Sequence, residues 1–223
     1  MKTLLEDATI VTMNSRREIF PRADLLIEDD RIKSLSHHSA DRSNDLDRVL
    51  DCRGKIIMPG MVSAHTHLTG MMQRGLWDET SFESWSRKSA ATEKFFNLSA
   101  DDIYLIHSAA SIELIRHGVT TVLNMFTVPS NDPLASVHAA CRALVDTGIR
   151  GILALSVKDQ SPDNPGMAPE IESVESWLSL AREATLQVGA FGPRLSFALA
   201  PSAPQRCSDR LLLACREIAE EFN

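Results

Sequence analysis

The sequence predicts an α/β chain: a region of short strands over residues 1–58, then the N-terminal half of a (β/α)8 barrel over residues 59–223. Three observations carry this. After residue 59, short β-rich runs alternate with segments of helical period about four times, the pattern of a parallel sheet built by right-handed crossovers. The apolar run from Lys55 to Val62 leads into Ala64-His65-Thr66-His67-Leu68, so chemistry-bearing residues stand at the end of a strand, where barrels keep their sites. No strand is followed by G-x-G-x-x-G or a Walker pattern, which ranks an open nucleotide-binding sheet lower. A closed barrel takes eight units and about 250 residues. Four units make half of one.

The elements follow in order. Ala8 to Met13 is β-rich and stops at Asn14-Ser15, and Leu25 to Ile27 and Ile32 to Leu35 flank Glu28-Asp29-Asp30-Arg31, a hairpin signal. The polar tract from His37 to Asp47 reads as an exposed loop with His37 and His38 in solvent. Ser99 is an N-cap, with Asp101 and Asp102 in the first turn. Ile103, Ile106, Ala110 and Leu114 recur at helical spacing and Gly118 stops the helix. Val119 to Met125 is the next strand. Asp132-Pro133 opens a second helix, carrying Val137, Cys141, Leu144 and Val145 and ended by Gly148. Ile149 to Val157 is a strand, Ser161 to Pro169 a loop, and a helix runs from about Ile171 to Leu186. Leu195 to Ala200 is the last strand and Ser208 to Phe222 the last helix. His107, His117 and His138 fall on helices, which pack outside a barrel, and so take structural or surface roles.

Bulk composition excludes more than it assigns. Lys and Arg total 23 against 30 Asp and Glu, a net charge of −7. Nucleic acid and anionic membranes call for a basic stripe instead. No stretch approaches the roughly 18 apolar residues of a membrane span, and Lys2 is followed by Glu6 and Asp7 rather than by a signal segment. Cys52, Cys141, Cys207 and Cys215 show no C-x-x-C spacing and read as reduced thiols. The expected location is the cytoplasm.

Alternate side chains of a strand share a face, so His65 and His67 point the same way. Two neutral imidazoles so placed can grip one divalent metal ion, zinc before iron or manganese. The loop that follows, Thr69 to Trp85, carries Gln73, Arg74, Trp77, Asp78 and Trp85. Long loops at this face shape the pocket, which makes Gln73, Trp77 and Trp85 candidate substrate contacts. Trp77 either stacks on a planar heterocycle or buries the loop against the barrel.

The run Asp51-Cys52-Arg53-Gly54-Lys55-Ile56-Ile57-Met58-Pro59-Gly60-Met61-Val62-Ser63-Ala64-His65-Thr66-His67-Leu68 resembles the amidohydrolase superfamily. So do His117-Gly118-Val119-Thr120-Thr121 and Ala200-Pro201-Ser202-Ala203-Pro204-Gln205-Arg206-Cys207-Ser208. The branch it is similar to holds the cytosine, guanine and methylthioadenosine/S-adenosylhomocysteine deaminases and the s-triazine hydrolases. The resemblance implies a metal-dependent hydrolase barrel whose N-terminal strands belong to a small composite β-sandwich. It implies hydrolytic deamination or dechlorination of an amino- or halo-substituted N-heterocycle by metal-activated water. An amide-opening cyclic amidohydrolase, or a non-catalytic half-barrel that needs a second chain, is the alternative. The remaining metal ligands and the proton-transferring Glu are expected beyond Asn223, in a longer protein of which this chain is the N-terminal part, and that protein is expected to be a homo-oligomer. Methylthioadenosine-type deaminases look like L-M-E-W where this chain has Phe82-Glu83-Ser84-Trp85, and Ser202 and Leu155 stand for their His and Arg. Loss of these polar partners favours a ring smaller than a nucleoside, with Ser202 kept as a candidate contact. A half barrel by itself is expected to self-associate through open strand edges.

Overall fold

The computed structural model describes residues 1–39, 45–77, 80–82, 84–85, 88, 98–128, 132–160 and 173–222. The chain divides into two compact units, Met1–Gly60 and Met61–Asn223. Asp78, Glu83, the loop from Ser161 to Pro169 and the expected helix start at Ile171 lie outside the described residues.

In the first unit β1 (Lys2–Val11), β2 (Ile19–Glu28), β3 (Arg31–His37) and β4 (Arg48–Asp51) form a sheet in the order β3-β2-β1-β4, and the short β5 (Ile56–Ile57) also pairs with β1. The β1–β2 and β2–β3 pairs are antiparallel, and the hairpin turn at Asp29-Asp30 joins Glu28 to Arg31. Ala8, Ile10, Ala23, Leu25 and Cys52 form its core.

One expectation holds only in part. His37 stays exposed, although it ends β3 with its ring edge-on to Phe20 at 5.8 Å instead of lying in a loop, while His38 is half-buried rather than left in solvent. Its Nδ1 lies 2.9 Å from Asp24 Oδ1, and the same carboxylate accepts the Asp7 amide at 2.8 Å and the Ser39 amide at 3.2 Å. The cause is Asp24, which is buried. Burial acts to raise its pKa, yet these hydrogen bonds outweigh it and hold the carboxyl below its usual range. A buried carboxylate needs donors, and the chain after β3 supplies them.

The second unit is a four-stranded parallel sheet in the order β6-β7-β8-β9, with β6 (Met61–Thr66), β7 (Val119–Phe126), β8 (Arg150–Val157) and β9 (Leu195–Pro201). The fully described α-helices between and after them are α1 (Ala100–Arg116), α2 (Pro133–Thr147), α3 (Val174–Gly189) and α4 (Asp209–Glu221). Each starts on a side-chain cap. Ser99 and Asp102 form a reciprocal capping box, Asp132 accepts from the Ala135 amide, and Ser173 and Ser208 cap the last two. Gly148 closes α2 in the left-handed region at φ 82°. The third helix is capped at Ser173 and runs three residues further than Leu186, to Gly189.

One continuous core fills the space between sheet and helices, with Ile103, Phe126, Val137, Leu144, Leu153, Leu155 and Leu211 at its centre. Leu155 is fully buried there, packed in the core rather than presented to a ligand in the place of an arginine. At Gly151 the layers meet so closely that a Cβ would lie 2.8 Å from Leu144 Cδ1 and 3.2 Å from Leu195 Cδ2. Gly151→Val is therefore expected to destabilise the unit by about 1–3 kcal/mol through overpacking. A lowered denaturant midpoint with unchanged slope would register it, and an unshifted midpoint would show that Leu144 and Leu195 can give way.

Candidate metal and substrate site

The histidines stand where β6 runs out. Against β7, Ser63 pairs with Val122 and Thr66 with Asn124, so between those pairs β6 carries one residue more than its neighbour. That is a bulge, the device that re-aims side chains at a strand end beside a site. The rings of His65 and His67 come to 5.2 Å between centroids, at 76° to each other. Two imidazoles bound about 2 Å from one tetrahedral ion hold their centroids about 5 Å apart. The pair has the spacing of two ligands on one metal.

Their electrostatics suit the same use. Desolvation of the His67 ring, and then the nearby His65, push its pKa below the ordinary histidine value, while a hydrogen bond to the Met125 main chain acts the other way. The neutral form is favoured, and a ligand imidazole must be neutral. With one ring nitrogen occupied by the main chain, the other keeps a lone pair to offer. Among the described residues no group of three or more His, Cys, Asp or Glu converges to hold a metal. Two imidazole nitrogens suit a nitrogen-preferring divalent ion, which would need further ligands besides them.

Beyond His67 the chain folds into a 3-10 turn, Leu68–Gln73, at the start of what the sequence presents as loop. Arg74 donates to both oxygens of Glu113 on α1 at 2.8 Å, tying this segment to the helix. Gln73 ends the turn. Trp77 is half-buried with the Lys88 ammonium 5.4 Å from its ring centroid, so one use of its face is already taken by a cation–π contact. Trp85 is exposed and lies 5.9 Å from the Phe82 ring. Ser202 follows β9, at the far edge of the sheet from β6, its amide donating to the Val157 carbonyl at 3.0 Å. Asp159 accepts the Ser208 amide at 2.7 Å, which joins the end of β8 to the cap of α4. The structure thus brings His65 and His67 together, while Trp77 and Trp85 each meet a neighbour from their own segment.

The other histidines sit elsewhere. His117 caps the end of α1 with Nδ1 2.8 Å from the Glu113 carbonyl. His138 is exposed on α2 beside Phe191, ring centroids 5.2 Å apart. His107 is fully buried on α1, its ring edge-on to Phe126. A residue that sequence reasoning missed is Asn124, a buried amide near the end of β7 whose Oδ1 accepts the Leu68 amide at 3.2 Å. Its signal was a polar residue within the otherwise apolar Val122-Leu123-Asn124-Met125-Phe126.

Parallel β/α units with a His-x-His at the end of the first strand make half of a barrel that carries potential metal ligands where barrels keep their sites. Residues 56–223 match the Amidohydrolase family, and the chain belongs to it. It is 29% identical over 221 residues to 5-methylthioadenosine/S-adenosylhomocysteine deaminase of Symbiobacterium thermophilum, an alignment covering 99% of this chain and 47% of that protein. Its fold matches a mutant of atrazine chlorohydrolase TrzN from Arthrobacter aurescens TC1, complexed with zinc and atraton, with a TM-score of 0.87 at 22% identity, covering 99% of this chain and 51% of that one. Guanine deaminase from C. acetobutylicum with bound guanine gives 0.83 at 18% identity over 100% of this chain and 51% of the other. The chain spans about half the length of the relatives it matches, and its second unit is the corresponding half of an amidohydrolase (β/α)8 barrel.

Proposed function

We propose that the whole protein is a metal-dependent hydrolase that removes ammonia or another leaving group from an sp² carbon of a small N-heterocycle. The paired rings of His65 and His67, at ligand spacing in a chain of this family, carry the proposal. A divalent ion, zinc first and iron or manganese next, supplies when bound a Lewis acid that makes water ionisable near neutral pH. His65 and His67 contribute two of the nitrogen ligands. The Met125 main chain lies against the His67 ring, and the bulge between Ser63 and Thr66 shapes the strand end that bears both.

Gln73, Trp77, Trp85 and Ser202 are proposed to line the substrate pocket. The apolar faces of the two tryptophans suit a flat ring. Ser202 offers a hydroxyl that suits a smaller, less polar substrate than a nucleoside. The first unit is proposed to be part of a composite β-sandwich, and the whole protein a homo-oligomer. A cytoplasmic, reducing location suits the four free, buried cysteines.

Metal content and turnover on the same preparation test this. One transition-metal ion per chain is expected, with hydrolysis of amino- or chloro-substituted pyrimidines, triazines or purine bases that a chelator abolishes and added zinc restores. A metal-free protein that does not take up zinc would refute it. Release of a ring-opened amide from a cyclic substrate, in place of ammonia or chloride, would move the reaction to the amide-opening class.

A further inference from the structure

Asn124 does something no ordinary core residue needs to do. On β7 the alternation Val122, Asn124, Phe126 is buried, and Phe126 meets His107 of α1, so Asn124 faces the helix layer by strand periodicity. An amide there is costly unless it is used. Its Oδ1 accepts the amide of Leu68, the residue immediately after His67. The next residue of the same strand, Met125, supplies the main-chain contact to the His67 ring. In register, Asn124 also stands opposite Thr66, the residue immediately before His67. Asn124 is thus bonded to the backbone after His67 and paired in register with the residue before it.

The orientation of the amide is not arbitrary. The Leu68 N–H requires an acceptor, which assigns Oδ1 to that contact and sends Nδ2 into the interior. Nδ2 is buried with no acceptor among the described residues. A buried donor without a partner is destabilising. A carboxylate would keep the acceptor for Leu68, although its second oxygen and its charge would then be buried at a cost of their own.

We propose that Asn124 is a positioning residue for His67: through the Leu68 amide it fixes the backbone at which the strand gives way to the 3-10 turn, and with it the direction of the His67 lone pair. The proposal rests on the metal reading above. Outer partners of ligand histidines typically change metal affinity by about 10–100-fold when removed. Asn124 acts one step further out, on the ligand's main chain.

The test uses the whole protein with Asn124→Leu, which keeps the branched outline with somewhat more bulk and removes the acceptor, and Asn124→Asp, which keeps the acceptor. Zinc retention is read by competition with a chelator below the melting temperature, beside kcat and KM. Asn124→Leu is expected to weaken zinc by about 10-fold or more and to lower kcat more than it raises KM, while Asn124→Asp stays near wild type. Unchanged zinc retention in folded Asn124→Leu, or equal losses in both variants, would overturn it. Should Asn124→Leu not fold, amide hydrogen exchange on the metal-free wild type decides. The anchor requires slow exchange at Leu68, and fast exchange there overturns it. A wild type that binds no zinc would remove the metal reading and this inference together, whereas a loaded wild type with an indifferent Asn124→Leu removes this inference alone.

Discussion

Replacing His67 with alanine in the whole protein is expected to strip its metal and reduce hydrolysis to background. A four-coordinate site that loses one protein ligand loses part of its binding free energy and the geometry that orients the rest. The effect should exceed the roughly 10–100-fold seen when only an outer partner is removed. His65→Ala should behave alike, because the two rings share one strand end at 5.2 Å. His138→Ala is the control: that ring is exposed on α2 beside Phe191 and should leave metal content and turnover unchanged. Metal analysis and kcat/KM on the three variants decide the matter. Full zinc and full activity in His67→Ala would dismiss the strand-end pair as the metal site.

Acid is expected to destabilise the barrel unit through His107, well before its carboxylates protonate. The imidazole is fully buried, and its Nδ1 lies 2.9 Å from the Ile103 carbonyl, to which the neutral ring donates. Nε2 is buried without a partner among the described residues, so protonating it would place a charge and an unused donor in the core. Burial pushes the pKa down from 6.5 to about 4. Above pH 6.5 the ring is neutral folded or unfolded, and the native state carries no penalty. Between pH 6.5 and about 4 the unfolded chain takes up a proton that the folded chain does not, so stability falls with pH. The total loss is roughly 3 kcal/mol, complete near the folded pKa. Urea denaturation at a series of pH values should show this slope in the wild type and a flatter one in His107→Leu. Parallel pH profiles would mean that His107 is not the group responsible.

The strongest features of the chain were legible because they are local. Ser99, Asp132, Pro133 and Gly148 are helix boundary signals whose physics acts within one turn, and the structure uses each of them as a cap, first residue or stop. The alternation of β-branched runs with helical period sets the parallel sheet, since each crossover has one favoured hand. His65 and His67 were visible because two residues of strand spacing need no tertiary information to share a face.

What tertiary structure decided lies between elements distant in sequence. Asp24 is an ordinary acid in a strand until burial makes it collect Asp7, His38 and Ser39, which turns a loop histidine into a core-side partner. Trp77 is an aromatic candidate until Lys88 comes to its face. Leu155 stands where a resemblance expected a binding residue, and only packing against the helices shows it as core. Asn124 lies 56 positions from the amide it accepts, and no period in the sequence joins them. By itself the sequence determined the barrel strands and helices, their order and the histidine pair, because propensity, capping and alternation act over a few residues, whereas it placed β1 too late and missed β4 (Arg48–Asp51). The bulge that turns the strand end, the ring separation and the support behind His67 depended on which strands and helices meet, and long-range packing alone decides that.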